Sequence, residues 1–242
     1  SGNNKREESG VYAKSNSDIV IENIEINNFY TGIEIESSNN IEIRNVEIHN
    51  SKSAIHFIAT ADSLINEVNA QSSDIGVLLT TSSNNQVSNS IMENNEIGIK
   101  LSVSSDNFVK NNKIMHNTNY GILLDSSSYN NIMNNVLDDN KKGLVMKQSL
   151  NNVVSEISII NSETAVSLQD SSTGNTFLNS SYDISKEDVE ASSKLIRKWY
   201  LDLKIVDSAL NPLDGATAKG WNGKGDLIFS QTTNSNGFIQ TQ

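Results

Sequence analysis

Histidines, paired carboxylates and sulfur ligands do most protein chemistry, and this 242-residue chain carries few of them. It has no cysteine, which excludes thiolate nucleophiles, disulfides and cysteine-held metals. Its histidines are His49, His56 and His116. His116 with Tyr120 has the residue types of an acid–base pair, although a solvent-facing corner histidine is the plainer expectation. Asp138-Asp139 is the only adjacent aspartate pair, and Arg6, Arg44 and Arg197 are the only arginines. Met92 and Met115 offer thioethers, but they fall at spacings that suit volume filling in a core.

The elements that must position these groups follow from a repeat. Segments opening at Gly10, Gly32, Ala54, Gly76, Gly98, Gly121, Gly143 and Ala165 share one pattern, at steps of 22, 22, 22, 22, 23, 22 and 22 residues. A fixed period of this size belongs to a solenoid, whose units bury apolar surface only against their neighbours. Within a unit, apolar and polar residues alternate, as in Ile33-Glu34-Ile35 and Ile41-Glu42-Ile43, which is the strand period. Three such runs per unit, separated by Asn, Ser and Gly, predict a parallel β-helix of about eight coils. Stacked at roughly 4.8 Å, they make a rod roughly 35–40 Å long.

Three columns are expected to face inward: Ile21, Ile43, Ile65, Val87, Val109, Ile132, Val154; Ile26, Ile48, Ala70, Met92, Met115, Leu137, Ile159; and Val11, Ile33, Ile55, Val77, Ile99, Ile122, Leu144, Val166. Polar columns mark the corners. Asn23, Asn45, Glu67, Asn89, Asn111, Asn134 and Glu156 form one, and Asn28, Asn50, Ser72, Asn94, Asn117, Asp139 and Asn161 another. A third runs from Ile19 and Ile41 through Ser63 to Asn85, Asn107, Asn130 and Asn152. Asparagine tolerates left-handed backbone, and stacked amides can bond along the rod as ladders. These asparagines are therefore expected to be structural. Asp138-Asp139 lies at such a corner and is expected to serve a turn. His49 and His116 sit beside one corner column, three coils or roughly 14 Å apart, too far to share a metal.

The remaining candidate surface is the outward row beside the Gly-opened strand: Glu34, His56, Leu78, Lys100, Leu123, Val145 and Ser167, with Asp125 and Lys147 alongside. The apolar members Leu78, Leu123 and Val145 stand where solvent is expected. Such a stripe suits a sugar chain or a neighbouring protein subunit, so His56, Leu78, Lys100, Leu123, Val145, Asp125 and Lys147 are the candidate binding residues. No metal and no cofactor is expected.

The 18 Lys and Arg against 29 Asp and Glu give a net charge of −11. That balance disfavours nucleic acid, anionic membranes and acidic polysaccharides as partners. No apolar run reaches membrane-spanning length and no signal peptide is visible, so membrane insertion is not expected. The repeat defines residues 1–182. A charged stretch, 183–198, is expected to be a linker or short capping helix, since an open β-helix end needs cover. Residues 199–242 differ in composition, holding both tryptophans, the only proline and five of the 13 glycines. Trp199 to Val206 and Leu227-Ile228-Phe229 read as strands, with turns at Asp207–Asp214 and Asn234–Gly237. The start at Ser1 without Met, the repeat register already set at Gly10, and the strand pattern Phe238-Ile239-Gln240 suggest a piece of a longer molecule.

The phrase carried by Gly98-Ile99-Lys100-Leu101, Ser105, Asn107, Val109 and Asn111-Asn112 recurs as Gly121-Ile122-Leu123-Leu124, Ser127-Ser128, Asn130-Asn131-Ile132 and Asn134-Asn135. It resembles the right-handed parallel β-helix repeat of the NosD/CASH group, over residues 10–182. Val206-Asp207, Asn211-Pro212-Leu213, Gly215-Ala216, Thr232-Thr233 and Asn236-Gly237 resemble the opening half of a carboxypeptidase-regulatory-like β-sandwich module. The tandem implies a secreted or cell-surface protein. Relatives of the repeat include carbohydrate-binding proteins, lyases, epimerases, hydrolases and non-enzymatic surface proteins. The clustered Asp with Gly-His-Gly of polygalacturonase-type hydrolases is absent, as are the Asp-Pro-His-Asp of alginate epimerases and the calcium-plus-base set of pectate lyases. The copper association of NosD finds no evident donors. The expectation is a non-catalytic extracellular module with a structural, assembly or carbohydrate-binding role; the alternative is a polysaccharide lyase, hydrolase or epimerase.

Overall fold

The computed structural model describes residues 9–239, in two compact units that divide between Lys198 and Trp199. Arg6 and the expected strand end at Gln240 lie outside the described residues. In the first unit every strand pairs in parallel with residues one repeat away: Ile33 opposite Ile55, Ile99 opposite Ile122, Leu144 opposite Val166. This is an all-β parallel β-helix. One face is a nine-stranded sheet with one strand per coil, one coil more than the repeat alone predicts. Among the described residues no helix is long and apolar enough to cross a membrane.

A folded sheet of 13 strands makes the other faces. In the first coils its strands are long, Ser17–Asn27 and Asn39–His49 at 11 residues each. Leu64–Gln71 then pairs with two separate short strands, Gln86–Ser88 and Ile91–Glu93. The split follows a change of residue type in one column. Val46 and Val68 are buried apolar residues inside a strand; at the same register stand Ser90, Asn112 and Asn135. There the Val68 N–H donates to Ser90 Oγ, Ser90 N–H to Asn112 Oδ1, and Asn112 N–H to Asn135 Oδ1, at 3.1, 3.0 and 2.9 Å. A side chain now takes the hydrogen bond that a strand partner would accept, and the backbone can turn.

The inward columns through Ile21 and Val11 run as the spacing predicts, and their members from Ile33 onward are almost wholly buried. The column through Ile26 departs from expectation. After Met92 it continues at Ile114, not Met115, and then at Leu137 and Ile159. The 23-residue coil carries its extra residue after Asn117: Asn95 still meets Asn117 one 22-residue step on, while Ile97 meets Tyr120 at 23. His116 (φ 54°) therefore takes the left-handed corner shared with Asn94 and Asp139, and Asn117 turns inward. Shape complementarity couples the columns. A Cβ on Gly98 would lie 2.5 Å from Ile114 Cγ2; at the equivalent offset, Ala54 stands opposite Ala70, where both partners are small.

The asparagines divide into two classes. Asn23, Asn45, Asn89, Asn111 and Asn134 are exposed, with φ of 55, 50, 51, 57 and 54°. They make no continuous ladder: Asn45 Nδ2 donates to Asn23 Oδ1, whereas Asn89 Nδ2 donates to Asn66. Their contribution is the left-handed backbone. Asn85, Asn107, Asn130 and Asn152 are fully buried, and each Oδ1 accepts from the backbone N–H one coil before it, a chain that starts at Ser63 and ends on Asn175. Their Nδ2 groups donate to inner carbonyls, such as Thr60 O and Ser82 O. Asn95, Asn117 and Asn140 form a second buried amide ladder, and Ser82, Ser104, Ser127, Ser149 and Ser172 a hydroxyl ladder.

Residues 183–198 are not a capping helix. Asp183 caps a single 3-10 turn, Ile184–Lys186. Glu187–Val189 and Leu195–Lys198 then add parallel strands to the two sheets. The stack thus runs to Lys198, past the expected end at 182. The charged sequence is accounted for by end-coil pairing: Lys186 Nζ donates to Ser162 O at 2.7 Å, and Arg197 meets Glu187 at 2.8 Å.

Among its described residues the second unit holds one antiparallel hairpin, Thr217–Trp221 with Leu227–Thr232. Trp199 to Val206, expected as a strand, contributes only isolated bridges at Lys204 and Val206. The Asn234–Gly237 turn forms as expected, with Gly237 at φ 81°.

Replacing Asn130 by Ala strips acceptors from the Asn107 N–H and side chain and a donor from Ser104 O. A loss of about 3–5 kcal/mol is expected in urea unfolding. Asn134→Gly, at an exposed left-handed corner, should stay within about 1 kcal/mol of the parent. Equal effects at the two sites would contradict the division into buried ladder and exposed corner.

Candidate functional site

Parallel in-register stacking puts outward residues of successive coils side by side. On the nine-stranded sheet, Glu34 lies opposite His56, and His56 opposite Leu78. Tyr30 and Lys52, themselves one 22-residue step apart, precede the first two of these strands and form a wall. Together they enclose a cleft of about 360 Å³ whose floor is completed by Ile58 and Ile75.

The cleft is amphipathic. Ile58, Ile75 and Leu78 give it an apolar side, and Glu34, a residue only 9% exposed, brings a carboxylate. Ser9 Oγ donates to Glu34 Oε2 at a long 3.4 Å. His56 is half-buried, with Nε2 3.0 Å from Thr80 Oγ1. Burial lowers its pKa to about 4, since a low-dielectric site disfavours imidazolium, so His56 is neutral at physiological pH. Lys52 is held above the usual lysine range, first by its hydrogen bond to Tyr30, and its Nζ stands 5.2 Å from the Tyr30 ring centroid.

The structure gathers only part of the expected stripe here. His56 and Leu78 line the cleft. Leu123 and Val145 do not face solvent: at 5% and 0% exposure they pack with Ile97, Ile75 and Tyr120 in a small cluster outside the main core. The expectation of an open apolar face is corrected, because Ile97 and Tyr120 fold over the same outer surface. Lys100 approaches Asp125 at 3.9 Å, and Lys147 sits 5.8 Å from the Tyr120 centroid. His116 does not pair with Tyr120; its Nδ1 meets Glu93 at 3.2 Å, and Nε2 is 3.9 Å from Asp139. His49 lies 3.9 Å from Glu47, and Arg44 is bound between Glu22 and Glu42. Alternation along single strands misses Tyr30 and Lys52, because both sit at a corner where strand parity lapses. Their shared column, a tyrosine one period before a lysine, is the signal that finds them.

The family of the periplasmic copper-binding protein NosD matches residues 1–208. No curated protein matches the sequence. Among solved structures, a double mutant of the periplasmic alginate epimerase AlgG aligns at TM-score 0.65 and 15% identity, over 74% of this chain and 50% of that one. The A-module of a mannuronan C-5 epimerase from Azotobacter vinelandii aligns at 0.56 and 14%, over 76% and 63%. XylC in complex with xylose aligns at 0.52 and 13%, over 83% and 39%. At such identities the likeness is one of fold, and this chain spans about half the length of the alginate epimerase structures.

The donors present do not fit copper. Met92 and Met146 are wholly buried in the core, in coils three apart, Met115 is 7% exposed, and Met133 is half-buried on a separate strand. The three histidines lie in separate coils, each with a different oxygen neighbour. Among the described residues no three His, Cys, Asp or Glu side chains converge on one point. Soft-ligand copper sites need converging thiolate, thioether or imidazole groups. Purified protein challenged with one equivalent of Cu(I) should therefore lose all of it to a bicinchoninate competitor. Retention of a full equivalent would contradict that.

The neutral His56 makes stability pH-dependent. Its folded pKa of about 4 lies below the ordinary value of 6.5, so the unfolded chain takes the proton first. The stability is fully present above pH 6.5 and is lost as the pH falls toward 4, by about 1 kcal/mol per unit. An imidazole NMR titration should place His56 near 4, and His56→Gln should flatten this part of the stability profile. A midpoint above 6 would refute the burial effect.

Proposed function

From the premise that the chain belongs to the NosD family, we propose that it is a module working in the periplasm or outside the cell, whose nine-stranded face binds a glycan without turning it over. The observation that carries this is the cleft itself. An apolar floor of Ile58, Ile75 and Leu78 suits the C–H face of a sugar, and Glu34, His56 and Lys52 supply hydrogen-bonding groups around it. The fold shared with alginate and mannuronan epimerases and with a structure that holds xylose supports a carbohydrate as ligand.

Binding without turnover is favoured over catalysis by how the polar groups are engaged. His56 Nε2 is tied to Thr80, and Lys52 to Tyr30. Among the described residues no arginine lines the cleft to stabilise a developing carbanion. A second reading, proton transfer on a sugar as in an epimerase or lyase, draws on the presence of three titratable side chains besides His56 in the same cleft, Tyr30, Glu34 and Lys52. The partial β-sandwich resemblance of residues 199–242 fits a surface-attached or multi-module protein in either case.

NMR titration with a panel of neutral and acidic oligosaccharides should shift the resonances of His56 and Leu78. Tyr30→Ala should weaken that binding at least about tenfold. No unsaturated or epimerised product should accumulate. Product formation would replace binding by the catalytic reading, and a panel in which nothing binds, or binds elsewhere, would sink both.

A further inference from the structure

Resting on the glycan-binding reading, we infer that the cleft selects neutral sugars and rejects uronates, with Glu34 as the specificity-determining residue.

The charges that face the ligand decide this. Glu34 lines the cleft, in register between Tyr12 and His56, and the residue is only 9% exposed. Its carboxylate has acceptor capacity only, and among the described residues its one donor is a weak one, Ser9 Oγ at 3.4 Å. A sugar hydroxyl donates to such a group; a sugar carboxylate confronts it as a like charge in a partly desolvated space, where repulsion is strengthened. A uronate-binding cleft would set a cation against that charge. His56 cannot, since burial keeps it neutral. Among the described residues Lys52 is the one cation lining the cleft; its ammonium is already engaged by a hydrogen bond to Tyr30 and feels the charge of Asp74. The net charge of −11 adds a long-range field of the same sign. The neighbouring fold relatives include epimerases named for alginate and mannuronan, so the inference separates this cleft from theirs.

Calorimetry on the full chain tests it with xylo-, cello- and manno-oligosaccharides against oligogalacturonates and oligomannuronates of equal length. Neutral oligomers are expected to bind at least about tenfold more tightly. Glu34→Gln, verified by an unchanged melting curve, should weaken neutral binding severalfold while raising uronate affinity, closing the gap. If that variant does not fold, salt dependence of the parent protein answers the same question. Uronate binding should strengthen as salt screens the repulsion, and neutral binding should not respond. Uronates bound as tightly as neutral sugars at the same His56 and Leu78 resonances would overturn the selectivity while leaving glycan binding intact. Uronate binding that weakens with salt, or a Glu34→Gln protein with the parent's preference, would overturn it as well. If neither class binds, the glycan reading fails with it.

Discussion

A β-helix must leave its strands at the corners of each coil, and at such an exit a backbone N–H near the core loses its strand partner. Leaving such a group unpaired costs on the order of 1–3 kcal/mol. Here the residue one coil further along supplies the acceptor. Asn107 serves Asn85, Asn130 serves Asn107, and Asn152 serves Asn130. The same amides return a donor to inner carbonyls, so each one satisfies two turns of the chain at once. Ser82 through Ser172 do this with hydroxyls at another corner. Where Val46 and Val68 occupy such a position, the strand runs on without a break.

Register follows from this constraint, and the cleft follows from register. A one-residue slip would point the amides outward and reverse the facing of every strand residue. With the ladders engaged, Glu34, His56 and Leu78 must lie side by side, and Tyr30 must lie beneath Lys52. Corners can absorb an extra residue where no ladder passes: Thr118-Asn119 and Asp170-Ser171 take the insertions, and Asn117 and Ser172 restore the hydrogen bonds immediately beside them. The electrostatics are equally a product of stacking. His56 is neutral because the neighbouring coils bury it, and Lys52 is held above the usual lysine range because a tyrosine from the preceding coil accepts its hydrogen bond.

Much of this architecture is legible in residue order. Ile21, Ile43 and Ile65, or Ile33, Ile55 and Val77, recur at fixed steps and alternate with polar neighbours, which leaves little choice but stacked strands. Errors arise where two alternatives differ by one residue. Met115 and Ile114 are both apolar, and Asn117 follows His116; only the hydrogen bond from Asn95 to Asn117 decides which member faces in. The end coil is obscure for another reason. Its strands pair with steps of 21 and 20 residues, as Val166 with Glu187 and Asn175 with Leu195, so the period that announces the other coils is absent.

By itself the sequence determined the period, the inward columns and the residue types able to turn a corner, because each is a local rule repeated many times. It also limited the chemistry, since a chain without cysteine and with three separated histidines has few ways to hold a soft metal. Tertiary structure alone decided which outward residues remain available. Val145 and Leu78 have the same parity and the same expected exposure, yet Val145 is wholly buried and Leu78 lines a cleft. The difference lies in neighbours one coil away. Ile97 and Tyr120 cover one stretch of the sheet, whereas Tyr30 and Lys52 stand aside from the other, and alternation along a strand carries no information about the bulk of side chains stacked across it.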